Sequence, residues 1–294
     1  MSSGKNIFVR FFEYRSEIEK DINKNWKKGW RGGLVHAIRI FLMDMFCTML
    51  FVSVILIPAI RGYSMETTAA VEGVSVFAYS SVFIRESVGF INPLWLFAVY
   101  VAGKSPFPWW MMFVQLVSTA LGWILGTSID IGMTPGVTTA AGLGAPSLNP
   151  AYTVAQGLMS ELYGTVLSLA IPLFYMLSLN RRIFYGGLVV DNDKSNNVFF
   201  PFVISFLHVG AFIYSFDVSK SSFNWFRYLF PTIIGGTFDA STQWFYFVGP
   251  LLGVVIPGIF FTFIVYIVKF GNPVVRRMIQ DAQTKNANAE YNSL

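Results

Sequence analysis

The chain is poor in the groups on which most enzymes and soluble domains depend. It holds one cysteine, two histidines and only 13% charged residues in 294 positions, whereas an ordinary soluble domain is about 25% charged. The lone Cys47 excludes an intrachain disulfide framework, and its place in an apolar block suits a small buried hydrophobe. Two histidines and one cysteine make no zinc-ligand pattern, and no Gly-rich phosphate loop of the Walker type occurs. Neither a metal nor a cofactor, nor a nucleotide-driven pump, has support, and an enzyme is not expected. The first twenty residues, MSSGKNIFVRFFEYRSEIEK, lack the apolar core and small-residue cleavage site of a signal peptide.

What is abundant is apolar surface: 54% of residues are hydrophobic and 17% aromatic. They gather into blocks matching the roughly 20 residues that a helix needs to cross hydrocarbon. The chain therefore reads as an integral membrane protein with six spans, near residues 34–58, 67–88, 107–126, 155–178, 199–216 and 244–268. Two further apolar segments, NPLWLFAVYVAG from Asn92 and NWFRYLFPTIIGG from Asn224, are too short to span.

Charge gives the orientation. Lys and Arg collect before the first span, between the fourth and fifth (NRRIFYGG) and after the sixth (KFGNPVVRRM), while Thr127 to Val154 has none. The positive-inside rule puts the basic segments and both termini in the cytoplasm. The net charge of +5 is accounted for by anionic lipid headgroups beside the spans, and no nucleic-acid-binding motif is present.

The two halves repeat. Asp44 in the first span and Glu161 in the fourth are each followed four residues later by Thr (Thr48, Thr165) and six later by Leu (Leu50, Leu167). Each half continues with another span, an Asn opening a short apolar segment, and a third span. Three spans per repeat insert the second copy upside down, so the two short segments enter from opposite faces and meet at mid-membrane. Their N-termini would then present free N–H groups and partial positive charge to a shared centre. Asn92 and Asn224 suit that place as helix caps with spare amide donors. The product is a narrow path for neutral molecules that repels cations.

These features resemble the aquaporin and aquaglyceroporin (major intrinsic protein) family from about Leu34 to Lys269. WFYFVGPLLGVVIPG from Trp244 is similar to the family's last helix, with Gly249 and Pro250 as its Gly-Pro, read here as helix-packing residues. Asp44 with Thr48, and Glu161 with Gly164 and Thr165, resemble its acid-to-Gly-Thr motif; the resemblance implies that both acids anchor the re-entrant loops. Asn92 with Pro93, and Asn224 with Arg227 and Pro231, match the two Asn-Pro-Ala loops. The tripeptides are altered, to Asn-Pro-Leu (Leu94) and Asn-Trp-Phe (Trp225, Phe226).

The resemblance implies an all-α membrane fold of six transmembrane helices and two re-entrant half-helices in two inverted repeats, assembled as a homotetramer. The corresponding domains are a cytoplasmic N-terminal segment 1–33, a channel domain 34–269 (repeats 34–126 and 155–268) and a cytoplasmic tail 270–294. The expected function is a passive channel for water and small uncharged solutes such as glycerol, centred on Asn92, Pro93 and Asn224. Its outer constriction falls at Arg227, Phe212, Ser221 and Glu72 by an ungapped count. The alternative is a poorly conducting scaffold or junction protein, in which Leu94, Trp225 and Phe226 fill the centre. An ion-coupled carrier rests only on Glu72 and Asp217.

Several residues have competing readings. Glu72 either pairs with Arg227 beside the outer vestibule or marks a helix end near the headgroups. Asp44 and Glu161 suit loop anchoring better than a proton relay. Arg227 lines the pore or snorkels to the interface. His208, one turn before Phe212, suits packing or an interhelical hydrogen bond better than a pH gate. An intact Asn149-Pro150-Ala151 does occur, but ahead of Glu161 rather than after a second span, so it reads as an extracellular turn in which Asn149 caps a helix that Pro150 starts.

Overall fold

The computed structural model describes residues 30–82, 91–101, 109–134, 143–171 and 199–271. Among them the regular structure is entirely helical. The first repeat comprises α1 (Trp30–Ile55), the short α2 (Ile57–Ile60), α3 (Met65–Val82), α4 (Pro93–Val101) and α5 (Met111–Met133). The second comprises α6 (Val154–Thr165), α7 (Phe199–Ser219), α8 (Trp225–Ile234), the single turn α9 (Ala240–Gln243) and α10 (Phe245–Gly271).

Three stretches, Ala37–Ile60, Met111–Met133 and Pro201–Ser219, are long and apolar enough to cross a membrane by length and composition. Polarity along α1 runs opposite to that of a soluble helix. Leu34, Ile38, Leu42, Phe46, Leu50 and Val54 are exposed at every fourth position, while Asp44 and Thr48 are fully buried. An exposed apolar stripe with a polar interior fits hydrocarbon outside and a polar core within.

The repeats pack alike. A β-carbon placed on Gly122 of α5 would lie 2.7 Å from the Met45 carbonyl and 2.6 Å from Thr48 Cβ of α1. One on Gly253 of α10 would lie 2.6 Å from the Leu162 carbonyl and 2.8 Å from Thr165 Cβ of α6. Met45 and Leu162 each follow the repeat acid by one residue, so the two glycines occupy equivalent places. Gly126 and Gly249 extend the contacts by one turn, against the Met49 and Leu158 carbonyls. Small residues four apart let these helices approach backbone to backbone. Gly249 thus packs α10 on α6, beside the buried Pro250. Across the middle, Ser205 of α7 donates to the Gly73 carbonyl of α3 at 2.6 Å.

Several boundaries differ from the sequence expectation. The third span continues past residue 126 to Met133, because Gly126, Thr127 and Asp130 are buried on the inner face of α5 rather than beginning a loop. The fifth runs to Ser219. The fourth contains a π turn, Val166–Ala170, immediately after α6. Its helix is capped by Thr153, which forms a reciprocal capping box with Gln156. Asn149 therefore does not cap it. Instead the Asn149 amide donates to the Asp217 carbonyl at 2.9 Å, and its backbone N–H to Val218, tying the outer turn to the end of α7. Residues 1–29 of the expected N-terminal segment 1–33, residues 272–294 of the expected tail 270–294, the ends of the second and fourth spans at 83–88 and 172–178, and the basic connection NRRIFYGG lie outside the described residues.

Candidate functional site

Both half-helices begin at an asparagine. Asn92 Oδ1 accepts the Leu94 N–H at 3.0 Å, with Pro93 as the first residue of α4. Asn224 Oδ1 accepts the Phe226 N–H at 3.0 Å at the start of α8. The side-chain amides then cross between the repeats. Asn92 Nδ2 donates to the Phe223 carbonyl at 2.8 Å, and Asn224 Nδ2 donates to the Ile91 carbonyl at 3.3 Å. Each asparagine thus caps its own helix and braces the residue preceding the other. An amide has two N–H bonds, so each keeps a donor after the brace is made.

The loop entering α8 is strained and tightly held. Lys220, Ser221 and Phe223 have φ of 59°, 55° and 46°, in the left-handed region that non-glycine residues rarely occupy. Glu161, fully buried, accepts the Ser222 N–H at 3.0 Å, the Phe223 N–H at 2.9 Å and the Ser219 hydroxyl at 2.6 Å. Charge-assisted bonds of this kind are roughly twice as strong as neutral ones, which suits a backbone kept in a costly conformation. Gly164 leaves room for the Phe223 ring, whose Cε1 would lie 2.0 Å from an added β-carbon. In the first repeat Asp44, also fully buried, accepts from Gln115 Nε2 at 3.4 Å. Residues 83–90, which precede Asn92 as this loop precedes Asn224, are outside the description.

The asparagine pair faces a cavity walled by parts of α1, α3, α4, α5, α7, α8 and the π turn. It holds about 720 Å³ of empty space, counting the portion open to solvent. The π turn brings Ser168 and Leu169 to this wall. Glu72, Arg227 and His208 form a cluster on it. Glu72 Oε1 lies 2.5 Å from Arg227 Nη2, and Glu72 Oε2 lies 3.2 Å from His208 Nε2. Glu72 therefore joins α3 to both α7 and α8, the pairing reading rather than the helix-end one. Phe212 and Ser221 are buried behind this group and do not line the cavity. The Arg227 guanidinium lies over the Phe212 ring at 5.4 Å, and Ser221 Oγ donates to the Phe212 carbonyl at 2.8 Å.

The bulky residues of the altered tripeptides point elsewhere. Leu94, Trp225 and Phe226 are absent from the cavity wall. Leu94 is buried in the core, Trp225 Nε1 donates to the Phe247 carbonyl of α10 at 2.9 Å, and Phe226 packs on Phe230. Sequence reading assigned no pore role to His208, Trp123, Tyr79 or Ser168, all of which line the cavity. His208 carried a signal, its position on α7 one turn before Phe212.

The family model for major intrinsic protein matches residues 34–261. The chain belongs to the major intrinsic protein family. It is 24% identical over 249 residues to Aquaporin PIP1-5 of Zea mays, covering 82% of this chain and 81% of that one. It is 26% identical over 182 residues to Aquaporin-1 of Rhizophagus irregularis, covering 62% and 58%. The X-ray structure of the aquaglyceroporin from Plasmodium falciparum superposes with a TM-score of 0.60 at 19% identity, covering 82% of this chain and 99% of that one. The fold is thus that of six transmembrane helices and two half-helices in two inverted repeats. As a major intrinsic protein, the chain is an integral membrane channel for water or small solutes, not an enzyme.

Proposed function

We propose that this major intrinsic protein conducts water and small uncharged solutes such as glycerol, passively and in single file, through the cavity between its half-helices. The observation that carries this reading is the reciprocal brace of Asn92 and Asn224 at the opposed N-termini of α4 and α8. The remaining amide donors and the helix-terminal N–H groups would hold a passing oxygen at the centre, while the two positive helix ends repel cations. Glu72 and Arg227 form the constriction on the outer side, with Phe212 and Ser221 fixing the arginine from behind. Asp44 and Glu161 anchor the loops.

A non-conducting scaffold would need its altered tripeptides to fill the path. The packing of Leu94, Trp225 and Phe226 away from the cavity wall supports conduction instead. Each subunit of a homotetramer would carry its own pore, with both termini cytoplasmic. Stopped-flow light scattering of proteoliposomes tests the reading, first with a sucrose gradient and then with glycerol. Faster volume change than in empty liposomes is expected, and equal rates would remove it.

A further inference from the structure

We propose that His208 is a solute-contacting, selectivity-determining residue, held by Glu72 as a hydrogen-bond acceptor, and that its protonation lowers permeation. This deepens the reading of the cavity as the conducting path.

Among the described residues, Glu72, Arg227 and His208 form the one charged cluster on the cavity wall. Glu72 and Arg227 are sequestered, with 1% and 6% of their side chains exposed, but His208 keeps 18%. Of the three, the imidazole is the member most open to a passing solute. Its Nε2 faces Glu72 Oε2 at 3.2 Å. An ionised carboxylate only accepts hydrogen bonds, so the proton of a neutral imidazole must sit on Nε2. Nδ1 is then left with a lone pair, and the hydrogen bond of His208 among the described residues is made through Nε2. Asn92, Asn224 and Arg227 offer donors, so His208 Nδ1 supplies the complementary acceptor. A hydroxyl, an amide or a water proton can use it.

Protonation inverts this. Nδ1 becomes a second donor and the acceptor disappears. The group of Glu72, Arg227 and His208 changes from formally neutral to +1. A passing water or polyol then meets donors on both sides and loses the acceptor for its own proton.

Among the described residues no other cavity group competes for the role. The titratable or charged side chains that line the same wall are Glu72 and Tyr79 of α3 and Arg227 of α8. The wall contributed by α1, α4, α5 and the π turn carries none. Glu161 of α6 is committed to Ser219, Ser222 and Phe223. The Phe223 ring meets His208 edge-on at 6.3 Å between centroids.

The test is stopped-flow water and glycerol permeability of proteoliposomes from about pH 8 to 5, the range in which imidazoles take up a proton. Wild-type permeability should fall by roughly three- to tenfold on acidification, the scale of one hydrogen bond. His208→Gln should conduct with a flat profile, whereas His36→Gln, which alters the chain's other histidine, should keep the wild-type curve. Glu72→Gln should change the shape of the profile, because a glutamine amide can donate to Nε2 and leave the imidazole proton on Nδ1. A flat wild-type profile, or a wild-type profile retained in His208→Gln, overturns the proposal. If His208→Gln does not reconstitute, a wild-type profile in Glu72→Gln overturns it as well. Absence of permeability at every pH would overturn both this proposal and the conducting path, while permeation with a flat profile removes only the role of His208.

Discussion

Asn92 and Asn224 lie 132 positions apart in sequence, yet each donates its side-chain amide to the carbonyl immediately before the other, Phe223 for Asn92 and Ile91 for Asn224. The two half-helices are thereby cross-tied at their capped ends. The tie does not depend on the residues following the asparagines, so the family's Pro and Ala can be replaced without undoing it. Asn92→Ala should remove a cap worth about 0.5–2 kcal/mol and orphan the Phe223 carbonyl at a cost of about 1–3 kcal/mol. Thermal unfolding in detergent should register the loss, together with reduced water permeability. An unchanged melting temperature would contradict the brace.

Glu161 offers a graded test of loop anchoring. Glu161→Gln keeps the shape but replaces an acceptor oxygen with NH₂, leaving at least one of its three donors facing another donor. Each orphaned buried donor costs about 1–3 kcal/mol. Ser219→Ala deletes only one of the three bonds. The melting temperature should therefore fall further in Glu161→Gln than in Ser219→Ala, as measured by differential scanning fluorimetry. The reverse order would mean that the carboxylate is not what holds the strained loop.

The equivalent glycines should respond equivalently. In both Gly122→Ala and Gly253→Ala the new methyl group meets a backbone carbonyl within 2.7 Å, so the helices must separate. Overpacking of this kind costs about 1–3 kcal/mol. Gly132→Ala, with nothing within 4 Å, should be neutral or gain up to about 1 kcal/mol from helix propensity. Unfolding of the three variants side by side checks the order.

Trp225 distinguishes a filled pore from an open one. Trp225→Phe retains the ring packing with Phe97 and Phe247 but loses the bond to the Phe247 carbonyl. The expected cost is about 0.5–1.5 kcal/mol of stability, with water permeability unchanged. A marked rise in permeability would show that the indole had been obstructing the path.

The sequence revealed the symmetry more clearly than the directions of its side chains. The paired Asn, the matched acids and the short apolar segments are local in sequence, and they yielded both repeats and both half-helices despite the altered tripeptides. Helix phase was less accessible. Leu94, Trp225 and Phe226 read as bulk near the centre, but the turn following each cap carries them away from the cavity. Whether Glu72 pairs with Arg227 or ends a helix could not be decided either, since only the packing of α3 against α7 and α8 brings Arg227, and with it His208, to the carboxylate. Thr127 and Asp130 resembled the start of a loop because this polar face is turned inward on α5. The π turn at Val166–Ala170 has no Pro or Gly to announce it. The intact Asn-Pro-Ala misleads for a related reason: Asn149 uses its amide to tie the outer turn to the Asp217 carbonyl, a partner that only the fold supplies.

We place the conducting path in the cavity beside Asn92 and Asn224. Its most direct test is water efflux from proteoliposomes carrying wild type or Val76→Trp, which places an indole at the cavity wall. Wild type should shrink faster than empty liposomes, and Val76→Trp, reconstituted at equal density, should fall to the liposome rate. Equal rates for wild type and empty liposomes, or full conduction by Val76→Trp, would contradict it.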